Sequence, residues 1–317
     1  MLKHLAIANL RNVTEFIFMI DPRSFGKHIR IQQEVLTACH NLGINAIPEY
    51  RGPDWRADIY VPNNVRPIAF EIQLSYQSLN KTRERQAKYI RDGILGCWLF
   101  EKPVPKLDEE IEELPLFYVE DTLNSHLMVN LGDRRKVDLH MFLKNFIKGG
   151  IQFKQNAITK SKQGVNLAFY PMECWKCDEI NTLFYVDSPF YSACNAMIQP
   201  EEALWASNSM EYRPEIIELA QHFVVTRKDL DLRLGQIKMR YSKTVCQSYM
   251  SFGCYKCDSI FGDYFVMEAK IDVKYEEDKL THRGEIELKE RIELQIRHWC
   301  FPEDGQFCTT FNQHVNL

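Results

Sequence analysis

The chain has 317 residues, enough for two ordinary domains with cores of their own. Hydrophobic residues make up 45% and charged residues 26%, which excludes a disordered or fibrous chain, and no run approaches the ~18–20 apolar residues of a membrane span. The net charge of −4 excludes a uniformly basic nucleic-acid binder, yet residues 1–100 carry 13 Lys+Arg against 9 Asp+Glu and the rest 26 against 34, so a mildly basic part suited to phosphate precedes an acidic one.

The opening, Met1-Leu2-Lys3-His4-Leu5-Ala6-Ile7-Ala8-Asn9-Leu10, lacks the long apolar stretch and small-residue cleavage site of an export signal. Ten cysteines without such a signal point to reduced thiols, some holding metal, in a cytoplasmic protein that touches no membrane. Ala6–Leu10 and Thr14–Ile20 read as a pair of strands around Arg11-Asn12-Val13. From Phe25 to Leu42 the pattern turns helical, with Ile29, Gln32, Gln33, Leu36 and His40 on related faces and Gly43 as the stop. A short strand follows over Ile44–Ile47 and Glu49–Tyr50, then strands over Arg56–Val61 and Ile68–Leu74. Ser78 or Asn80 caps a helix to about Asp92, ended by Gly93, and Ile94–Phe100 is a continuous apolar run typical of a buried strand reached by a helical crossover. Glu101 to Glu113 is a solvated excursion, Leu116–Val119 a further strand, and Val137–Ile147 a helix with Leu139, Phe142, Leu143, Phe146 and Ile147 as its apolar stripe. The polar stretch Gln155–Gly164 breaks the chain. The expected domains are 1–125, a helical connector 126–165, and 166–317.

Two strands carry acids where a core strand should carry none. Side chains alternate along a strand, so Glu71 and Gln73 share one face while Phe70, Ile72 and Leu74 fill the other. Pro62-Asn63-Asn64-Val65-Arg66-Pro67 reads as a hairpin loop. Centring that hairpin between Asn64 and Val65 sets Asp58 directly across from Glu71. Like charges so close are unfavourable unless a cation or proton sits between them, so the pair reads as a site for a divalent metal.

The string Arg56-Ala57-Asp58 … Glu71-Ile72-Gln73-Leu74-Ser75 … Arg83 … Tyr89-Ile90-Arg91-Asp92-Gly93-Ile94 … Trp98 resembles the nuclease core of the CoiA-like competence-protein family, a branch of the PD-(D/E)XK superfamily, over roughly residues 25–100. The resemblance implies an α/β (α+β) fold with a restriction-endonuclease-like core. It implies a bacterial metal-dependent nuclease that hydrolyses phosphodiester bonds of DNA, with Asp58, Glu71 and Gln73 catalytic and Mg²⁺ or Mn²⁺ held by Asp58, Glu71 and the carbonyl of Ile72. Gln73 stands where the superfamily usually has lysine, and an amide carries no positive charge. Arg83, Gln86 and Lys88 on the following helix are candidate supporting groups, Arg83 for the scissile phosphate and Lys88 for the missing charge. Glu34 or its rival Glu49 completes the acidic cluster, and His28 matches a family histidine. Single-stranded DNA is among the substrates left open, as is RNA, and a protein partner in a competence or defence system is a further expectation. The alternative is a non-catalytic DNA-binding or scaffold protein on a degenerate nuclease fold.

Cys174-Trp175-Lys176-Cys177 and Cys254-Tyr255-Lys256-Cys257 are paired knuckles whose four thiolates make a closed, structural Zn²⁺ site. Each precedes a strand-like run, Asn181–Val186 and Phe261–Met267, as in a zinc ribbon, and this part also resembles the zinc-binding part of CoiA-like proteins. The 76 residues between Cys177 and Cys254 exceed the ~15–20 of a compact ribbon, so an inserted subdomain, with a helix over Pro214–Val225 and a segment Leu230–Tyr241, must bring them together. A redox dithiol is the rival reading. Cys39, Cys97, Cys194, Cys246, Cys300 and Cys308 read as small buried residues. Lys176, Lys238, Arg240, Lys243 and Lys256 with Trp175, Tyr241 and Tyr255 are the candidates for a basic–aromatic surface.

Overall fold

In the computed structural model, the helical pattern after Phe25 becomes α1 (Lys27–Asn41). The structure describes residues 26–62, 66–102, 104, 111–122, 126–132, 135–198, 210–302 and 307–308; the predicted opening strands and the turn residues 63–65 lie outside them. The inward stripe of α1 is Ile31, Val35, Ala38 and Cys39, spaced by four, three and one. Ile29 is 40% exposed instead of sharing that face. Gly43 takes φ +70° and donates its N–H to His40, the left-handed stop that a side chain would strain.

The chain divides into two compact units, Met1–Gln155 with Ile296–Phe307, and Asn156–Gln295 with Cys308–Leu317. In the first unit α1 is followed by β1 (Ile47–Arg51), β2 (Arg56–Val61), β3 (Ile68–Gln73), α2 (Leu79–Arg91) and β4 (Leu95–Phe100), the order expected from the sequence. Then come β5 (Leu116–Asp121), β6 (Leu127–Asn130), β7 (Lys136–Asp138), α3 (Leu139–Ile147) and β8 (Gln152–Lys154), which pairs with a strand returning at His298–Cys300. Strands β1 to β7 lie in chain order in one mixed sheet. In that sheet β3–β4 and β4–β5 are the parallel pairs, and α2 supplies the crossover that the first of them requires. That places β4 at the centre, and its apolar run is buried on both faces.

The helices cover opposite faces. Helices α1 and α3 pack with Ile59, Phe70, Ile72, Leu99 and Phe117 on one side, while Leu79 and Tyr89 of α2 pack with Ala57, Ala69, Trp98 and Phe100 on the other. The Ser78 hydroxyl caps α2 by accepting the Lys81 N–H, and Gly93 at φ +70° closes it. A Cβ at Gly96 would collide with the Gln86 side chain, so β4 and α2 approach at a glycine.

The second unit is built on β10 (Lys162–Glu173). It contains β9 (Ala157–Ile158), β11 (Ile180–Val186), β12 (Phe190–Tyr191), β13 (Met197–Ile198), α4 (Pro214–Thr226), β14 (Gln236–Ser242), β15 (Gln247–Gly253), α5 (Asp263–Lys274), β16 (Leu280–Glu287) and β17 (Glu293–Leu294). Antiparallel neighbours β11 and β16 flank β10, and β14 and β15 form a hairpin. Ile216, Ala220 and Phe223 form the buried stripe of α4, and Phe223 packs on Phe169 and His282. The segment expected as Leu230–Tyr241 resolves into strand β14. The strand expected over Phe261–Met267 is instead the start of α5. Phe261 is buried and its N–H bonds Phe252, but among the described residues no strand pairs with those that follow, which instead pack as a helix against β10. A short apolar run suits either element until a partner strand is present or absent.

Candidate active site and cysteine cluster

The acid pair rests on strand register. Ile59 pairs with Phe70, Tyr60 with Ala69 and Val61 with Ile68, so the next position along sets Asp58 level with Glu71. On the other side Pro48 pairs with Ile59 and Tyr50 with Ala57, which leaves Glu49 level with Asp58. The strand is irregular there. Ala57 packs with Tyr89 and Trp98, whereas Ile59 packs in the opposite layer with Val35 and Phe70, and Glu49 sits at φ +53°. The break in alternation at Asp58 turns its carboxylate along the sheet, where Oδ2 accepts the Ile72 N–H at 2.7 Å and lies 3.6 Å from His28 Nε2.

Glu71 is 2% exposed on the α2 face of the sheet. Its Oε1 accepts from Arg85 Nη2 at 2.5 Å and from the Tyr89 hydroxyl. Burial pushes the carboxyl up to about 7 and the Asp58 charge adds to this, against the pull of Arg85 and Tyr89. Burial beside Glu71 in turn raises the Tyr89 phenol. Arg85 also lies 4.9 Å from the Trp98 ring centroid and donates to Gln77 at 3.4 Å. Both named bonds to Glu71 fall on one oxygen, and Asp58 supplies a second hard donor at the same level. That donor set fits a small divalent cation, whose charge would offset the mutual repulsion of the two carboxylates.

The other sequence candidates are distributed differently. Gln73 turns its amide into the following loop, bonding the Ser75 carbonyl at 3.0 Å and hydroxyl at 2.8 Å. Gln86 is buried, accepting from Trp98 Nε1 and donating to the Glu113 carbonyl, both at 2.7 Å. Lys88 reaches the Asp54 carbonyl, and Arg83 is exposed. Glu34 lies 3.6 Å from His140 of α3, whereas Glu49 accepts from Gln32 at 3.2 Å and pairs with Arg56. Arg85 and Tyr89, four apart on one flank of α2, are the contacts that sequence reasoning missed.

In the second unit the two knuckles fold alike. Cys174 N–H bonds the Glu179 carbonyl and Asp178 N–H bonds the Cys174 carbonyl; Cys254 N–H bonds the Ser259 carbonyl and Asp258 N–H bonds that of Cys254. The aspartate after each second cysteine takes a left-handed φ, 57° at Asp178 and 59° at Asp258. The four ligand sulfurs lie within 4.8 Å of one another, with Cys174–Cys257 at 3.5 Å and Cys177–Cys254 at 3.6 Å. Tetrahedral zinc with bonds near 2.3 Å needs sulfurs about 3.8 Å apart, so the set fits that ion. The Ser259 hydroxyl and N–H bring the Cys257 thiol down to about 6. For Cys177 the Glu179 N–H draws the thiol down as well, but burial and its sulfur neighbours outweigh it and push it up to about 12. Such a split is expected of four acids too close to ionise together without a cation.

Arg240, 9% exposed, donates to Asp258 and to the Ser251 carbonyl, tying the second knuckle to β14–β15. Lys238 also pairs with Asp258, while Lys256 and the Tyr255 hydroxyl are spent on Glu179. Most cations of the basic–aromatic surface expected from sequence are therefore neutralised within the unit. Cys39, Cys97, Cys194, Cys300 and Cys308 are buried and Cys246 is exposed, against the expectation for the last, because the β14–β15 turn projects it outward. Among the described residues no helix is long and apolar enough to cross a membrane.

A search of curated proteins and a search of solved structures each return no match. Residues 27–145 match a family model described as "Competence protein CoiA, nuclease-like domain". The match begins at α1, ends in α3 and contains Asp58 and Glu71. The segment from α1 to α3 accordingly belongs to the family of CoiA nuclease-like domains.

Proposed function

We propose that the first unit is a metal-dependent nuclease that hydrolyses phosphodiester bonds of DNA at the Asp58–Glu71 pair. The observation that carries the reading is the placement of Asp58 and the buried Glu71 at one level of adjacent strands, inside a nuclease-like domain. A surface that merely binds phosphate gains nothing from two carboxylates without a cation. Asp58, Glu71 and the Ile72 carbonyl would hold Mg²⁺ or Mn²⁺. When bound, such an ion supplies a water of lowered pKa and offsets charge on the phosphate.

The chain's own residues divide the remaining work. The Ile72 N–H and His28 orient the Asp58 carboxylate. Tyr89 and Arg85 hold Glu71 in a fixed rotamer, and Arg85, one-third exposed, is the cation beside the acid pair where the superfamily lysine is replaced by Gln73. Gln73, bonded to Ser75 here, would on release orient a water or a phosphate oxygen. The four thiolates of the second unit would hold zinc as a folding element.

One observation favours a second reading, a DNA-binding or scaffold domain without chemistry: Glu71 is tied to Arg85 and Tyr89, and Gln73 to its own loop. Cleavage of single- and double-stranded DNA, with RNA alongside, in Mg²⁺, Mn²⁺ or EDTA separates the two. Metal-dependent cleavage lost in both Asp58→Ala and Glu71→Ala supports the nuclease. Cleavage unchanged in both variants overturns the site, and retained DNA binding without cleavage in wild type selects the scaffold.

A further inference from the structure

Helix α5 lies in the second unit, between the second cysteine knuckle and β16, and none of its residues is buried. Tyr264 is 62% exposed, Phe265 61%, Met267 51%, Ile271 49% and Tyr275, which caps the helix, 81%. At 100° per residue Tyr264, Met267, Ile271 and Tyr275, spaced by three, four and four, form one stripe along the outer face. A surface helix should turn such a stripe inward. Here the inward side is filled by half-buried Val266, Ala269, Lys270 and Val273 instead. An exposed apolar stripe running three helical turns is the kind of feature that marks an interaction surface.

The helix also sorts its charges. Lys270 points inward, 3.6 Å from Glu211 and 5.0 Å from the Tyr185 ring centroid, and Lys279 pairs with Asp187 at 2.7 Å. Glu268 and Asp272 are exposed along one edge of the stripe, and Glu276, Glu277 and Asp278 are exposed just past its end. An acidic rim repels the phosphates of nucleic acid and of anionic lipid. It also opposes antiparallel two-fold pairing with a second copy of this helix, which sets like edges together. We propose that the α5 face docks a basic amphipathic helix of a partner protein, with apolar anchors at matching three- and four-residue spacing and Lys or Arg beside Glu268 and Asp272. This rests on the second unit alone and does not depend on the nuclease reading.

The test uses the full chain and a fluorescent 18-residue peptide of leucine and lysine patterned as an amphipathic helix, with a leucine–glutamate peptide of the same pattern as control. Saturable binding of the lysine peptide is expected, weakening as salt rises. Met267→Ser/Ile271→Ser should weaken it at least tenfold. Glu268→Lys/Asp272→Lys should weaken it several-fold and raise affinity for the glutamate peptide. Both pairs are solvent-facing, so unchanged circular dichroism and zinc content are expected, and either pair suffices if the other fails to fold. Equal binding to wild type and variants, no binding at all, preferential binding of single-stranded DNA or anionic vesicles at this face, or a wild-type dimer abolished by Ile271→Ser would each overturn the proposal.

Discussion

The two candidate metal sites are assembled in opposite ways. The cysteine site takes each half from a four-residue knuckle whose shape is set locally, by the same turn bonds and the same left-handed aspartate twice over. Joining the halves across 76 residues then needs only that the unit fold. The acid site has no local template. Asp58 comes from a distorted point of β2, Glu71 from β3, and their contacts from α1 and α2. A closed thiolate set suits a structural ion, whereas the acid pair combines a buried Glu71, held by an arginine and a tyrosine, with a more exposed Asp58, as the proposed chemistry needs. The proposed structural site thus lies in repeated turns here, and the proposed reacting site lies where strand geometry breaks.

The largest effect should fall on the cysteine side. Removing zinc with a chelator, or by Cys254→Ser/Cys257→Ser, should cost several kcal/mol against the ~5–15 kcal/mol of a whole domain. Calorimetry should then show the second unit losing its transition while the first keeps its own. Metal analysis should read about one zinc per chain before the change and none after it. A single unchanged transition would show that the knuckles hold no structural ion.

On the acid side, Asp58→Ala and Glu71→Ala should each lower cleavage about 100-fold or more, the loss expected when several kcal/mol of charge stabilisation goes. Zinc content should not move. Next in size, Arg85→Ala should lower cleavage roughly tenfold and destabilise the first unit by ~1–3 kcal/mol by leaving buried Glu71 short of a donor. Arg83→Ala should do neither. Equal effects of the two arginines would assign Arg85 a role no different from any exposed cation.

The smallest effect is a pH dependence of the metal-free protein in EDTA. Glu71 ionises near 7 when folded against the ordinary 4.5, so the folded state binds more protons between those values. Stability of the first unit should therefore fall as pH rises through that window, and Glu71→Gln should flatten the slope. A slope unchanged by Glu71→Gln would place the titrating group elsewhere.

Much of the fold was legible in the sequence because its signals are local. The caps at Ser78, Gly43 and Gly93, the stripe Leu139, Phe142, Leu143, Phe146 and Ile147, and the buried run at β4 each follow from neighbours a few residues away. The level of Asp58 with Glu71 followed from one hairpin centre, since register propagates along a two-residue repeat. The helix at α5 was illegible, because an apolar run becomes strand or helix according to what lies beside it.

The choice of Arg85 over Arg83 shows the same limit at the site. The buried stripe Leu79, Thr82, Gln86 and Tyr89 leaves the two arginines on opposite flanks of α2, each roughly 80° from its centre at 100° per residue. Periodicity cannot separate them. The sequence by itself determined which elements form, where they stop and which residues can hold a metal, because helical and strand periods and turn chemistry act over a few bonds. Tertiary structure alone decided that α2 lies with its Arg85 flank against Glu71, that Glu34 leans to His140 while Glu49 joins the level of Asp58, and that α5 finds no strand to pair with among the described residues. Those outcomes depend on which surfaces meet across the sheet, and no local rule contains that information.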